Sequence, residues 1–436
     1  MGFVGRVNVG LSGFTWLTLV NGYQTILSQL QIAADDSVWA SGITKLANFP
    51  ITSGAFLTQA PSGASGFLIH LSADGTQELA GTYLPASFSS MVLDGSGDVV
   101  FTSPYVAGLN ATPGSQWPCR QQGTSSGFIG KLDSAAKQLI WGTATGPAIP
   151  IGPVTVDTSG NAVVAGNIAA GAVALASLTT ISGPPRLVDT CVQQAGVPGT
   201  FGPLVAGEVL SIYGAGLGPA SGVAAPTSVN AMPTTLGGVQ VFIENMPVPL
   251  LYASSVQINA VAPFLLNGRT AAHVKVVTEA ASSNEVVLGV RQAAPEIFTT
   301  SNGIAILNHD WTLNSPDNPT APGEGVSMWV SGLGQTSPGG TDGAIASTAG
   351  APPLLPITVQ VTAGNVMIEM PSIDATISYI GNAPGLVAGI EQINFQVPAN
   401  LSTQGFQGGM IFGQPLWAGV TLIVGGQQAT TTLWYQ

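Results

Sequence analysis

The chain has 436 residues, with 9 Lys or Arg, 21 Asp or Glu and 2 Cys, and a formal net charge of −12. Charged residues make up 7%, against roughly 25% in an ordinary soluble domain. The 57 Gly and 31 Pro exclude a helix-rich fold, two cysteines exclude a disulfide-stapled miniprotein, and 45% hydrophobic content with little charge excludes disorder. The few basic residues, scattered from Arg6 to Arg291, form no patch able to neutralise phosphates, so no nucleic acid and no anionic lipid surface is expected as a partner. The length suggests about two to four domains.

Taken in chain order, Met1 to Val20 reads as a strand. Its apolar stretch is broken by Asn8, Ser12 and Thr15, and no small-residue cleavage site marks a signal peptide. The longest apolar run, near Ile168 to Leu178, is about half of what a membrane span requires, so no membrane span is expected. Over residues 1–180 a pattern recurs in steps of 61 and 63 residues: Ile32-Ala-Ala-Asp-Asp-Ser-Val38, Leu93-Asp-Gly-Ser-Gly-Asp-Val99 and Val156-Asp-Thr-Ser-Gly-Asn-Ala162. Each copy is a strand end, a tight polar turn and an apolar strand, as in a hairpin.

Other elements keep this period: Gly66-Phe-Leu-Ile-His-Leu71 with Gly127-Phe-Ile-Gly-Lys-Leu132, Thr52 with Thr112, and an aromatic strand in which Trp16, Tyr83 and Trp141 take equivalent places. One period therefore holds about four short strands, as a propeller blade does. Gly5-Arg-Val7 aligns with Gly130-Lys-Leu132, so the chain enters mid-repeat and about three blades are expected, the first incomplete. An open propeller edge is a template for self-association.

Residues 181–200, with Pro184-Pro185, read as a linker. A second repeat system fills the rest. Gly207-Glu-Val-Leu-Ser-Ile-Tyr-Gly214 matches Gly323-Glu-Gly-Val-Ser-Met-Trp-Val330, and Gln257-Ile-Asn259 matches Gln392-Ile-Asn394. The offset grows from 116 to 135, which places insertions in loops around Met367–Gly389. Turn signals every 8–12 residues fit an Ig-like sandwich in each copy. The expected architecture is all-β: a partial β-propeller-like repeat region over 1–180, Ig-like β-sandwiches over 201–292 and 321–436, and a connecting strap over 293–320 whose Pro295, Pro316 and Pro319 block regular pairing.

The first region resembles the Solibacter-type β-propeller repeat, through Phe49-Pro-Ile-Thr-Ser-Gly-Ala-Phe56 and Asp157-Thr-Ser-Gly-Asn161. The second is similar to the Solibacter uncharacterised C-terminal domain, through Ser211-Ile-Tyr-Gly-Ala-Gly-Leu-Gly-Pro219, Gln257 to Pro263, Ala294-Pro-Glu-Ile-Phe-Thr299 and Leu307 to Pro316, and also to the IPT/TIG class of Ig-like domains. The resemblance covers nearly the whole chain. It implies a large secreted or surface protein of soil bacteria and brings no catalytic residues. The short propeller and the lack of an export signal depart from it.

Several motifs offer chemistry, each with a plainer reading. Gly123-Thr-Ser-Ser-Gly127 has the spacing of a nucleophile elbow but precedes a strand where the elbow needs a helix. Gly214-Ala-Gly-Leu-Gly218 has no following helix to aim at a phosphate. His70, His273 and the His309-Asp310 pair lie far apart and give no metal spacing. Asp94–Asp98 and Asp157–Asn161 place oxygens at alternate positions, as calcium loops do, but lack the distal carboxylate and read as hairpin turns. Cys119 and Cys191 are a candidate disulfide. Trp117, Trp311 and Trp417, in loop-like settings, are candidate ligand contacts; Trp39, Trp141 and Trp329 fit strand patterns and are assigned to the core.

These readings give a non-catalytic, extracellular or cell-surface modular protein that serves adhesion, glycan or protein binding, or as a structural scaffold, with no catalytic, cofactor or metal residues. Two alternatives stay open. A secreted hydrolase or lyase acting on polysaccharide would show two carboxylates in a pocket, or His70 beside an acid and a nucleophile. A self-assembling structural subunit would join through the propeller edge.

Overall fold

The computed structural model describes residues 2–20, 24–45, 48–61, 65–106, 108–115, 117–119, 127–145, 152–167, 173–178, 183–196, 201–299, 305–346, 350–364, 371–401 and 416–436. The chain is all-β and divides into two compact units, Met1–Arg186 with Gly214–Gly216, and Leu187–Tyr213 with Leu217–Gln436.

In the first unit, β1 (Gly2–Val7) and β2 (Phe14–Val20) form an antiparallel pair. Then come β3 (Thr25–Ile32), β4 (Val38–Thr44), β5 (Ser65–Leu71) and β6 (Glu78–Leu84), a four-stranded meander. A second meander holds β7 (Ser90–Leu93), β8 (Val99–Pro104), β9 (Gly127–Leu132) and β10 (Leu139–Ala144). A three-stranded sheet follows, of β11 (Val154–Val156), β12 (Ala162–Asn167) and β13 (Val173–Leu178).

Successive side chains leave a strand on opposite faces, and here both faces find a neighbour. Val38, Ala40, Phe67 and Ile69 pack against Val4 and Val20 of the first pair. Trp39 and Leu68, on the other face, pack with Val99, Phe101 and Phe128 of the next sheet. Val100 and Ile129 turn in the opposite direction, onto Val154, Ala162 and Val164. Burial on both faces explains why these strands read as apolar runs with little alternation. The loop repeats follow suit: the Thr52 and Thr112 N–H groups donate to the carbonyls of Gly81 and Gly142, at 3.0 and 2.8 Å.

Strand register defines the equivalences. Arg6 pairs with Trp16, His70 with Ala80 and Lys131 with Trp141. β1 thus matches β5 and β9, the third strands of their blades, and β2 matches the fourth. Among the described residues the unit holds a two-stranded pair, two four-stranded meanders and a three-stranded sheet, where about three blades were expected. Tyr83 is not the counterpart of Trp16 and Trp141; Ala80 is. Tyr83 faces Phe67, as Leu19 faces Phe3 and Ala144 faces Phe128. Aromatic identity alone misled the alignment, because Ala80 and Tyr83 are both buried on the same strand.

The second unit contains two sandwiches. The first comprises β14 (Val192–Gln194), β15 (Leu204–Val205), β16 (Val209–Tyr213), β17 (Val223–Ala224), β18 (Val239–Ile243), β19 (Met246–Pro247), β20 (Leu250–Ala253), β21 (Gln257–Val261), β22 (Ala271–Thr278) and β23 (Val286–Arg291). Its sheets, ordered β14-β16-β21-β20-β17 and β15-β23-β22-β18-β19, enclose Ile212, Val241, Ile258 and Val274. The second comprises β24 (Glu296–Ile297), β25 (Ile306–Asn308), β26 (Gly325–Ser331), β27 (Ile357–Ala363), β28 (Ile373–Asp374), β29 (Thr376–Asn382), β30 (Glu391–Gln396), β31 (Leu416–Val424) and β32 (Gln427–Tyr435). The sheets β24-β26-β30-β29, with β25 also on β26, and β28-β27-β31-β32 enclose Met328, Val361, Ile393 and Val420.

Three boundaries differ from expectation. Within the expected linker, β14 is an edge strand of the first sandwich and Leu187 lies in its core. The expected strap is built into the second sandwich, where Ala293, Ile297 and Ile306 are core residues and β24 and β25 both pair with β26. Proline excluded long strands there but not these short ones. The expected insertion loops around 367–389 contain β28 and β29; the extra length lies partly in the connection between Asn382 and Glu391.

Candidate functional site

The repeated Ser-x-aromatic and Gln-Ile-Asn motifs of the two sandwiches meet across neighbouring strands. In the first, Ser211 lies opposite Asn259, Tyr213 opposite Gln257, and Tyr252 on the other side of Asn259. In the second, Ser327 lies opposite Asn394, Trp329 opposite Gln392, and Tyr379 beyond Asn394. The central Ile258 and Ile393 point into the cores. Strand alternation therefore puts the flanking Gln and Asn on the face turned away from the core. In each copy the Gln amide donates to the Asn Oδ1 at 2.8 Å. The result is a strip of amides framed by aromatic rings, in duplicate.

The second strip carries an addition. The turn after β25 brings Trp311 beside Trp329, with ring centroids 6.4 Å apart and planes at 49°. Trp311 is 62% exposed and Trp329 is half-buried. Trp311 sits at φ +68°, a conformation that costs a bulky side chain. The turn holds it there. Its N–H donates to Asn308 O at 3.0 Å, and Asp310 Oδ1 accepts from the Thr312 hydroxyl at 2.6 Å and from the Thr312 N–H at 3.1 Å. These hydrogen bonds, the hydroxyl's first, hold the Asp310 carboxyl below its ordinary pKa. Asn314 anchors the return, bonding Asn308 Oδ1 and the Trp434 carbonyl. His309 pairs with Glu324 at 3.3 Å on the same surface. Rings and amides of this kind can stack on apolar C–H faces and exchange hydrogen bonds with hydroxyls, without a charge.

Of the other predicted aromatics, Trp117 is half-buried and its carbonyl accepts from Ala144 N. Trp417 is not in a loop: it lies on β31 opposite Trp434, still partly exposed. Trp39 and Trp141 are core residues as expected, whereas Trp329 belongs to the strip. Cys119 and Cys191 are buried and disulfide-bonded, so neither thiol is free.

The acid–base candidates are held within structure. His70 Nε2 lies 2.7 Å from Ser37 Oγ, and Ser37 Oγ donates to Asp35 Oδ1 at 2.5 Å. His70 also stacks on Trp39 at 4.2 Å. This does place His70 beside an acid and a hydroxyl, but in the wrong order. A nucleophile's proton must pass to the imidazole, with the carboxylate behind it; here the serine sits in the middle, buried, and gives its proton to the carboxylate. Burial lowers the His70 pKa.

The equivalent Lys131 shows what the position is for. Its Nζ contacts Asp94 and Asp98 at 2.5 and 2.9 Å, closing the hairpin turn. Lys131 thus bridges the two carboxylates of the turn. At the third turn, Asp157 accepts from Ser159 N, Asn161 N and the Asn161 side chain. Among the described residues no cluster of His, Cys, Asp and Glu could hold a metal ion.

His273, on β22, meets Glu285 at 2.6 Å on the surface. Gly214–Gly218 runs as an irregular loop after β16. Gly123–Ser126 lie outside the described residues, and Gly127 opens β9. Clefts of about 90, 190 and 410 Å³ carry one carboxylate, one and none, namely Asp36, Glu78 and no acid.

Sequence reasoning missed three buried glutamates within the second unit: Glu208, Glu296 and Glu391. Glu208 accepts from Gln194 Nε2 at 3.0 Å and Val205 N at 2.9 Å; Gln194 also donates to Ala294 O. Glu296 accepts from Gly196 N at 2.6 Å, and Val209 N donates to Ser331 Oγ at 3.0 Å. These bonds tie the first sandwich to the second. Burial, then the nearby Glu296, pushes the Glu208 pKa well up; burial raises Glu391 to about 8. The available signal was an acid inside an apolar strand pattern in a chain so poor in charge.

No family model matches the chain, and no curated protein matches it.

Proposed function

We propose that the protein is a non-catalytic, extracellular modular β-protein that binds a neutral, extended glycan on the amide–aromatic strip of the second sandwich. The observation that carries this reading is Trp311, held in a costly backbone conformation, largely exposed, beside Trp329. Strain retained at a surface aromatic points to use, since a buried role is absent and a glycine would fit the turn better.

The chemistry favours sugar over a charged peptide, because the half-buried Asn394 and Tyr379, backed by the buried Gln392 and Ser327, are neutral hydrogen-bonding groups. The blades and the first sandwich then act as scaffold, in keeping with the secreted or surface setting that the Solibacter-type resemblance implies. A glycan array followed by calorimetry with the best hit tests this. Trp311→Ala is expected to weaken binding by about tenfold or more. Absence of any glycan ligand, together with turnover in a hydrolase screen, would contradict it.

A further inference from the structure

The cleft of about 410 Å³ lies where the chain passes from the first sandwich into the second. The passage is short. Val290 packs against the core of the first sandwich and Ala293 belongs to the core of the second, so only Arg291 and Gln292 lie between them, both exposed. Three segments make the walls. One is this crossing. Another is the turn at residues 268–270, fixed by the Arg269 N–H, which donates to Leu266 O at 3.0 Å, and by the Val290 N–H, which donates to Thr270 O at 2.9 Å. The third is Leu355 with the β31–β32 turn, where the Gly425 N–H donates to Pro356 O at 3.1 Å. Gly425 sits at φ +54°, and a side chain there would press on Leu355. Backbone held on every side needs little reordering to receive a ligand.

The charge of this cleft sets it apart. Two of the nine Lys and Arg residues line it, and no Asp or Glu does. Elsewhere, Arg6 lines the 90 Å³ cleft together with Asp36, at 3.4 Å, and Lys131 is shared by Asp94 and Asp98. Arg269 gives Nη1 to Glu244 at 2.7 Å, and Glu244 is held in turn by the His273 N–H at 2.9 Å. A guanidinium has five N–H groups, so Arg269 keeps others for a ligand. Arg291 makes no side-chain hydrogen bond or ion pair with any described residue. Arg269 and Glu244 cancel, and Arg291 leaves one positive charge at the cleft.

We propose that this cleft binds a uronate, a sugar whose carboxylate sits against Arg291 and the remaining N–H groups of Arg269. One positive charge matches a carboxylate better than a phosphate dianion, and the guanidinium fork fits two carboxylate oxygens. Val290, Ala293 and Leu355 give an apolar wall for the C–H face of the ring. Thr270, Gln292 and Gln427 supply a hydroxyl and two amides for the sugar hydroxyls. An extended acidic peptide would need a free strand edge, and β23 already has β15 on one side and β22 on the other. The cleft shares no residue with the Trp311 strip, and the inference does not rest on glycan binding there.

Calorimetry of the full chain with trisaccharides of galacturonate, glucuronate and mannuronate tests it, with the methyl ester of each as the neutral match. At least one acid is expected to bind, and its ester to bind about tenfold or more weakly. Arg291→Gln, a change at an exposed side chain, should leave the unfolding temperature alone and weaken binding by about tenfold or more. Arg291→Lys keeps the charge without the fork and should fall between the two. Trp311→Ala should leave uronate binding unchanged, which separates this site from the strip.

Failure of all three acids to bind would overturn the proposal. So would equal binding of acid and ester, indifference to Arg291→Gln, loss of uronate binding in Trp311→Ala, or tighter binding of a sulfated trisaccharide or a triglutamate peptide.

Discussion

The two units use their scarce charges in opposite ways. In the blades, acids sit at hairpin turns: Asp35, Asp74, Asp94 and Asp157 each accept backbone N–H bonds, and Lys131 bridges two of the turn carboxylates. In the sandwiches, Glu208, Glu296 and Glu391 are inside, with Glu208 and Glu391 held above the ordinary range by burial. The four turn carboxylates are held below their ordinary pKa. Burial favours the neutral form of Glu208 and Glu391. The strips on the sandwich sheets, by contrast, are made of rings and amides and carry no charge.

The largest effect should come from the repeat itself. Phe128→Ala opens a cavity beside Phe101 and Tyr105 and is expected to cost about 3–5 kcal/mol, lowering the unfolding transition of the first unit. Phe3→Ala, at the same repeat position but 55% exposed, should cost no more than about 0.5 kcal/mol. Equal losses would mean that the register equivalence carries no information about packing.

Next comes the pH response of the sandwiches. Glu391 is raised to about 8 in the folded chain, above an ordinary value of about 4.3. Its stabilisation is therefore complete below the ordinary value and is lost as pH rises towards 8, by about 1.4 kcal/mol per pH unit crossed. Glu391→Gln, neutral at every pH, should flatten that slope in denaturant titrations at pH 5 and 8.

In the blades, Lys131→Met should cost about 1–3 kcal/mol, by removing one charged donor from two partly buried carboxylates. Burial alone pushes the Asp94 pKa up; the Lys131 hydrogen bond, the N–H groups of Ser96 and Asp98 and the Lys131 charge together bring it below the ordinary value. The variant should therefore lose part of the first unit's sensitivity to acid. Smallest is Trp311→Gly, which relieves a positive φ worth about 1 kcal/mol and should be neutral or slightly stabilising, while glycan binding falls. A large loss of stability would make Trp311 a structural residue instead.

Much of the architecture was legible because it repeats. The Asp turns, the Gly-Phe strands and the Gln-Ile-Asn strips each mark a β unit, and the recurrence of side-chain type at one offset reveals packing that no single segment could. Trp311 was legible as a surface aromatic from its polar loop. Its partner Trp329 was not, because alternation in a short strand does not tell core from covered surface. The loop-like setting read for Trp417 does not hold, since Trp417 is the second residue of a nine-residue strand. Glu208, Glu296 and Glu391 were hidden because carboxylates are presumed exposed, and only tertiary packing shows otherwise. The strap around Pro295 was misjudged because two-residue strands escape a rule about proline in long ones.

Calorimetry of the intact chain as a function of pH bears most directly on the contrast between the units. In the first, the depressed Asp carboxyls make stability fall as pH drops below about 4, and the lowered His70 makes it fall from about 6.5 downward; Glu78, raised by partial burial, opposes this in part. In the second, Glu208 and Glu391 outweigh the exposed Asp310, so stability falls as pH climbs from about 4.5 to 8. Two transitions moving in opposite directions along the pH axis are the expected result. Transitions that shift together, or a sandwich transition that stays fixed between about pH 5 and 8, would contradict it.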